Sequence, residues 1–424
     1  MSSFKREEIA NKVNFNTVFD NKFKTMRISL IAYLPLEKET VSEYALLTKV
    51  LLRSCERYPD FTSLSKKLSS LYGATLSADC IKVGDRQMLH FSISGIDERY
   101  AFGKEELAKE LCDLLCQIVF KPKLSGNSFD EFEFLQGKRE LIDIIDSEFN
   151  EKRIYALTQA LSTMCEDEAF GTPRYGTKES VEKVTKESLY NSWQNMLKTA
   201  QFELFTIGQT NPENVKSTFI SYFNTERTPA KLENTVIRKA EKIKEKKEEM
   251  TLSQSKMILC FRTDCAEPES EVMAERLMCA ILGGTAHSKL FCNVREKLSL
   301  CYYCAARYNR KKGILTVESG VEKENIEKAK KAILAEIESM KKGDITDFEL
   351  KATKMSVVNS FKEICDTASG LEEWYVSQLL DGNIYSAEKA SELINNVTKE
   401  EVIECAKKLT LDTVYTLVGN EVEE

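Results

Sequence analysis

The sequence predicts an α+β protein made of two homologous domains, each a mainly antiparallel sheet covered by helices. Three observations predict it. The tetrapeptide VTKE occurs twice, at Val184–Glu187 and Val397–Glu400, and each copy opens an amphipathic helical pattern, "VTKESLYNSWQNML" and "VTKEEVIECAKKL". Each helix then runs into a short β-type segment ending in glycine, "FELFTIG" (Phe202–Gly208) and "TVYTLVG" (Thr413–Gly419). Upstream of both copies the same order of strand, helix, strand and helices recurs, and self-similarity at a long period signals a duplicated structural unit.

The elements follow in order. "MRISLIAYL" (Met26–Leu34) and "MILCFRT" (Met257–Thr263) read as strands. Each leads through a polar turn into a helix that starts Ser-Glu, "SEYALLTKVLL" from Ser42 and "SEVMAERLMCAIL" from Ser270. "LSKKLSSLYGATLSA" occupies the next place in the first half and "CNVREKLSLCYYCAA" in the second. The strand-like runs "QMLHFSISGI" and "GILTVESGV" come next, then the long amphipathic helices "KEELAKELCDLLCQIV" and "KENIEKAKKAILAEIESM". Further helices are expected near Phe129–Phe149 and Thr346–Cys365. Thr185 and Thr398 suit helix N-caps, and Glu401 completes a capping box with Thr398. Strands arriving as hairpins and helices in runs favour antiparallel sheets covered by helices. With 424 residues the chain is too long for one hydrophobic core. We therefore expect domains over 1–225 and 253–424, joined by a solvated, highly charged linker over 226–252 that is helical at most in part.

Composition excludes several function classes. The net charge is −7, with Lys and Arg interspersed among Asp and Glu, so no nucleic-acid footprint is present. The N-terminus "MSSFKREEIANKVNF" has no apolar signal core, and no 18-residue apolar run predicts a membrane span. Thirteen cysteines, an odd number without framework spacing, include Cys112 and Cys116 inside "ELCDLLCQIVF". Such usage fits a reducing, cytoplasmic setting where Cys is a small buried hydrophobe. Histidine occurs twice only, as His90 and His287.

Two stretches, "GGTAHSKLFCNVREKLSLCYY" and "AFGTPRYGTKESVEKVTKESLYNSWQNML", together with the duplicated α+β layout, resemble the pitrilysin/insulinase-type zinc peptidases, the inverzincins. The likeness covers nearly the whole chain. It implies half of a clamshell peptidase, in which two homologous halves enclose a peptide-binding chamber. In that family two histidines of His-x-x-Glu-His bind zinc, the glutamate between them is the general base, and a later glutamate is the third ligand. Here the motif falls on Ala45, Leu46, Leu47, Thr48 and Lys49. Alanine has no donor atom, a lysine ammonium offers protons rather than a lone pair, and threonine accepts no proton at neutral pH. The first domain is thus expected to hold a degenerate zinc site, with no catalytic residue, metal or cofactor in this chain. Among the acids of "LQGKRELIDIIDSEFNEKR" the third ligand cannot be placed, and Glu140, Asp143 and Asp146 read as solvated charges.

No other constellation replaces the motif. His90 sits in a strand-like run and His287 in a loop about two hundred residues away. "CYYC" (Cys301–Cys304) is a lone C-x-x-C; within a strand its sulfurs point to opposite faces, and zinc sites of this kind need a second pair. A rewired enzyme with a Cys nucleophile would need a base, usually His. The loop "AFGTPRYG" (Ala169–Gly176) reads as a structural turn more readily than as chamber lining.

The resemblance does preserve one feature. Arg295 and Tyr302 match the family's arginine and tyrosine, which reach across the chamber, hydrogen-bond the substrate backbone and stabilise the oxyanion. A forked cationic donor and a phenol suit a carbonyl oxygen that gains charge. The competing reading is an ion pair of Arg295 with a nearby glutamate, plus a core tyrosine. Family members that lack the zinc motif commonly pair with a homologue that has it. The likeness therefore implies a non-catalytic subunit of a heterodimeric zinc peptidase, with a zinc-bearing partner and a peptide substrate, and no nucleic acid or membrane. More narrowly, the chain resembles the inactive member of a bacterial tandem pair associated with 5-aminopentanol modification of elongation factor P. The alternative is a metal-independent peptide- or protein-binding scaffold, including one acting in that modification.

Overall fold

The structure, a computed structural model, describes residues 3–420 except 104, 224–225 and 381. The expected chain ends at 1 and 424, and the expected boundary at 225, lie outside the described residues. In chain order the first half contains β1 (Ser3–Ala10), β2 (Val13–Phe19), β3 (Thr25–Pro35), α1 (Val41–Val50), α2 (Phe61–Ser70), β4 (Thr75–Lys82), β5 (Arg86–Ile96) and α3 (Leu107–Phe120). It continues through α4 (Glu131–Asn150), α5 (Lys152–Met164), α6 (Lys178–Lys183), α7 (Lys186–Thr199), β6 (Gln201–Ile207) and α8 (Pro212–Tyr222). The second half has β7 (Lys244–Thr251), β8 (Ser255–Arg262), α9 (Val272–Cys279), β9 (Tyr303–Asn309) and β10 (Ile314–Val321). After these come α10 (Ile326–Lys341), α11 (Asp347–Ile364), α12 (Ala368–Val376), α13 (Ala387–Asn396), α14 (Lys399–Lys408) and β11 (Thr410–Asn420).

Two sheets organise these elements. One runs β1-β2-β6-β3-β5-β4 and the other β7-β11-β8-β10-β9. Without β1 the two orders superimpose strand for strand, each with a single parallel pair, β2 with β6 and β7 with β11. The duplication read from VTKE is thus a duplication of topology. In β3 the alternation typical of a strand decides which side chains face the helices. Met26, Ile28, Leu30, Ala32 and Leu34 join the core with Leu46, Leu47 and Leu115, while Arg27, Ser29 and Tyr33 take the other face. Each fully buried Leu or Ile contributes about 1.5–3 kcal/mol. Thr185 and Thr398 are N-caps with reciprocal partners at Ser188 and Glu401.

The compact units differ from the expected partition. One comprises Met1–Ser147, Thr172–Glu233 and Thr367–Glu372, the other Glu148–Gly171, Asn234–Asp366 and Glu373–Glu424. The segment with α5 therefore belongs with the second sheet, against β8 and β11, where Ala156, Ala160 and Met164 pack on Ile258, Cys260 and Tyr415. The expected linker over 226–252 also departs from its reading, because "KEKKEEMT" is the edge strand β7. Its alternating charges lack apolar periodicity, and its order comes from the ladder to β11; Lys and Glu on an edge strand guard it against stray pairing.

Candidate functional site

The helix that would carry the zinc motif is α1. Ser42 fixes its start, donating to the Tyr175 carbonyl at 3.1 Å and pairing with the Ser180 hydroxyl at 2.6 Å. Gly176 lies against this contact with φ +73°, and a Cβ there would stand 2.0 Å from Ser42 Oγ. Tyr175 and Gly176 therefore act as a structural turn that seats the helix. Ala45, Leu46, Leu47 and Thr48 are all fully buried. The Thr48 hydroxyl donates to the Ala45 carbonyl at 2.7 Å, and Lys49 Nζ lies 3.7 Å from Glu140 Oε1 on α4. At the motif's ends the chain offers a methyl group and an ammonium already facing a carboxylate. These residues do not fit a zinc ion: no lone pair is available at 45 or 49, and the hydroxyl at 48 is spent inside its own helix.

On α4 the solvated reading of the acids agrees with their surroundings. Asp143 pairs with Arg139 at 4.0 Å, Asp146 with Lys178 at 2.8 Å, and Glu140 is half exposed. Sequence reasoning missed Glu133, the buried acid of α4, which accepts from Arg53 Nε at 2.7 Å. The signal was available in "FEFLQG", where the acid lies one turn before Gly137. A Cβ at Gly137 would stand 2.7 Å from Val50 Cγ2, so the helices meet there.

His90 and His287 each have a local partner. His287 meets the Phe348 ring edge-on, with centroids 5.8 Å apart. On β5, His90 Nε2 lies 3.2 Å from Glu372 Oε1, and Arg27 Nε donates to Glu372 Oε2 at 2.5 Å. Burial by itself would raise the Glu372 carboxyl, but the facing His90 and Arg27 outweigh it and hold the group down to about 2. A carboxyl whose folded pKa lies below its ordinary value of 4.5 contributes stability that is complete above about pH 5 and lost as pH falls through about 2. Denaturant unfolding between pH 7 and pH 2 should therefore show an acid loss of roughly 3 kcal/mol that is missing from Glu372→Gln. An equal acid loss in the variant would assign the effect to other groups.

Arg295 and Tyr302 occupy the second sheet's β9 end. Arg295 lies in a wide π-type helical stretch, Leu290–Lys297, entered after Gly283, where a Cβ would stand 2.5 Å from the Ala306 nitrogen. Its guanidinium sits 4.7 Å from the Phe291 ring centroid, and Nε is 3.6 Å from Glu296 Oε1. Tyr302 enters β9 with its N–H donating to the Gly320 carbonyl at 2.9 Å, and its hydroxyl donates to Glu322 Oε1 at 2.5 Å. The two side chains are 39% and 61% exposed. Tyr302 is therefore not a core tyrosine, and the Glu322 hydrogen bond raises its pKa and keeps the phenol a proton donor.

The C-x-x-C segment departs from its sequence reading. Cys301 precedes β9 rather than lying within it, so strand alternation does not govern the pair. The neighbouring Cys304 thiol, ahead of the opposing effect of burial, holds Cys301 below the usual thiol range, and Cys301 in turn pushes Cys304 up. Both are buried.

The family model described as "Peptidase M16 inactive domain" matches residues 183–357. The chain is 34% identical over 401 residues to the "Probable inactive metalloprotease YmfF" of Bacillus subtilis (strain 168), covering 94% of each chain. Among solved structures, a conserved protein from Enterococcus faecalis V583 matches with a TM-score of 0.92 at 28% identity, over 99% of this chain and 100% of that one. A peptidase M16 inactive domain from Pseudomonas fluorescens shares the fold, with a TM-score of 0.78 at 16% identity over 99% of both chains.

Proposed function

Because this chain belongs to the M16 peptidase family as an inactive metallopeptidase homologue, we propose that it is the non-catalytic subunit of a heterodimeric zinc peptidase. It closes a peptide-binding chamber and contributes peptide contacts to a homologous, zinc-bearing partner. One observation carries this reading. The helix α1 has lost every group that metal hydrolysis needs, while Arg295 and Tyr302 remain outward-facing donors in the second unit. Neither side chain is held by the core, so packing alone gives no reason for a cation and a phenol at this spacing. Placed against a scissile carbonyl, the guanidinium would donate to the oxygen as it gains charge, and the phenol would do so on turning away from Glu322. The metal and the general base would be the partner's.

Co-expression with a homologue of similar length that carries His-x-x-Glu-His tests the proposal. The two chains are expected to co-purify, and peptide cleavage sensitive to a chelator is expected only from the pair. Cleavage by this chain alone would overturn it. Peptide capture that needs neither metal nor homologue would support the scaffold reading, to which any part in elongation factor P modification belongs.

A further inference from the structure

A cluster of metal-type donors lies far along the sequence from α1, in the second unit. Asp264–Glu271 connects β8 to α9, and the Cys265 thiol and a carboxylate oxygen from each of Glu269 and Glu271 lie within 4.8 Å of one another. A tetrahedral zinc-type ion with thiolate and carboxylate ligands holds such atoms roughly 3.5 Å apart, so small side-chain movements would close the set.

Acidic residues near a helix N-terminus are commonplace, and the helix dipole accounts for Glu271, which caps α9. It does not account for Glu275. That residue lies one turn deeper on the same face of α9 and is 0% exposed, and neither of its carboxylate oxygens has a hydrogen-bond partner among the described residues. Its neighbours are Cys405 on α14, whose thiol is a weak donor, and the Cys265 thiol, on which Glu275 exerts the largest charge effect. A buried carboxylate without a partner costs several kcal/mol if it stays charged. Around it, Asp264, Glu269 and Glu271 add three more carboxylates, against the cations Arg238 and Lys408. Arg238 is already bound to Glu269, so an ion would compete with that pair for one ligand only. Glu269, Glu271, Cys405 and Lys408 also line a cleft of about 730 Å³, which gives an ion a route in.

We propose that Cys265, Glu269, Glu271 and the buried Glu275 form a binding site for a divalent cation of the zinc type. Mixed thiolate and carboxylate ligands suit a borderline ion such as Zn²⁺ or Co²⁺ rather than Mg²⁺. The site has no histidine and none of the α1 residues, so it is independent of the subunit proposal, and it assigns a structural role to the ion rather than hydrolysis.

Titration of the metal-free full-length chain with CoCl₂ tests it. One equivalent is expected to bind, with a near-ultraviolet thiolate-to-cobalt band that ZnCl₂ abolishes. Cys265→Ser should remove the band, and Glu271→Gln and Glu275→Gln should each weaken binding at least about tenfold. Glu271→Gln lies at the surface, so its loss of affinity is readable even if the buried variants fold poorly. Cys365→Ser, a cysteine elsewhere, should change nothing. Absence of the band at excess cobalt, or its survival in Cys265→Ser, would overturn the proposal.

Discussion

Lys312→Met is expected to lower the unfolding free energy by about 3–5 kcal/mol, the cost of leaving a buried charge without its partner. Lys312 is 0% and Arg262 1% exposed, and both face Glu168 just beyond α5. Lys312 Nζ stands 2.8 Å from Glu168 Oε2, Arg262 Nη2 donates to Glu168 Oε1 at 2.8 Å, and Arg262 Nε donates to Asp412 Oδ2 on β11 at 2.9 Å. Burial by itself would raise the Glu168 carboxyl, but the two cations more than offset it and keep the group ionised. Methionine is unbranched like lysine, one atom shorter and uncharged, so the variant removes one cation and leaves Glu168 buried and half-compensated. Urea unfolding should show a lower midpoint at an unchanged slope. Adding Glu168→Gln to Lys312→Met should cost less than the two single losses together, because the pair then disappears as a unit. A single-variant loss under about 1 kcal/mol would mean that the network contributes only shape.

The second large effect is on turnover. In the proposed heterodimer, Arg295→Ala is expected to reduce peptide cleavage by about 10²–10³-fold, the usual consequence of removing one preorganised oxyanion donor. The loss should fall on kcat more than on KM, because the donor acts most strongly as charge develops. Tyr302→Phe removes a neutral donor and should cost roughly tenfold. Neither variant should alter the stability of the isolated chain measurably: the Arg295–Glu296 contact is exposed and 3.6 Å long, and such pairs contribute less than about 1 kcal/mol. Unchanged turnover in both variants would remove the oxyanion role while leaving partner-dependent cleavage, measured with the wild-type chain, as a separate question.

Local periodicity carried most of the architecture. The strand runs around Met26 and Met257 alternate or are wholly apolar, the helix starts at Thr185 and Thr398 have their caps within three residues, and the repeat repeats each signal. Elements ordered by remote partners stayed hidden. The charged run 244–251 is a strand because β11 lies beside it, and residues 148–171 join the second sheet because Ala156 and Ala160 fit against Ile258 and Cys260. The missed polar residues share this cause. Glu133 is paired by Arg53, Glu372 by Arg27 and His90, and Glu168 by Lys312, partners 80 to 345 residues apart.

The sequence by itself determined that this chain cannot assemble a zinc centre on α1, because the identities of Ala45, Thr48 and Lys49 fix which lone pairs exist wherever the helix is placed. It also determined the duplicated fold, since hydrophobic periods of two and of three to four residues are local properties of the chain. Only the tertiary structure decided which charges are buried together, which cysteines touch and which tyrosine faces outward. Burial and pairing depend on what the rest of the chain brings alongside, and no local pattern encodes the identity of a neighbour from the other end of a sheet.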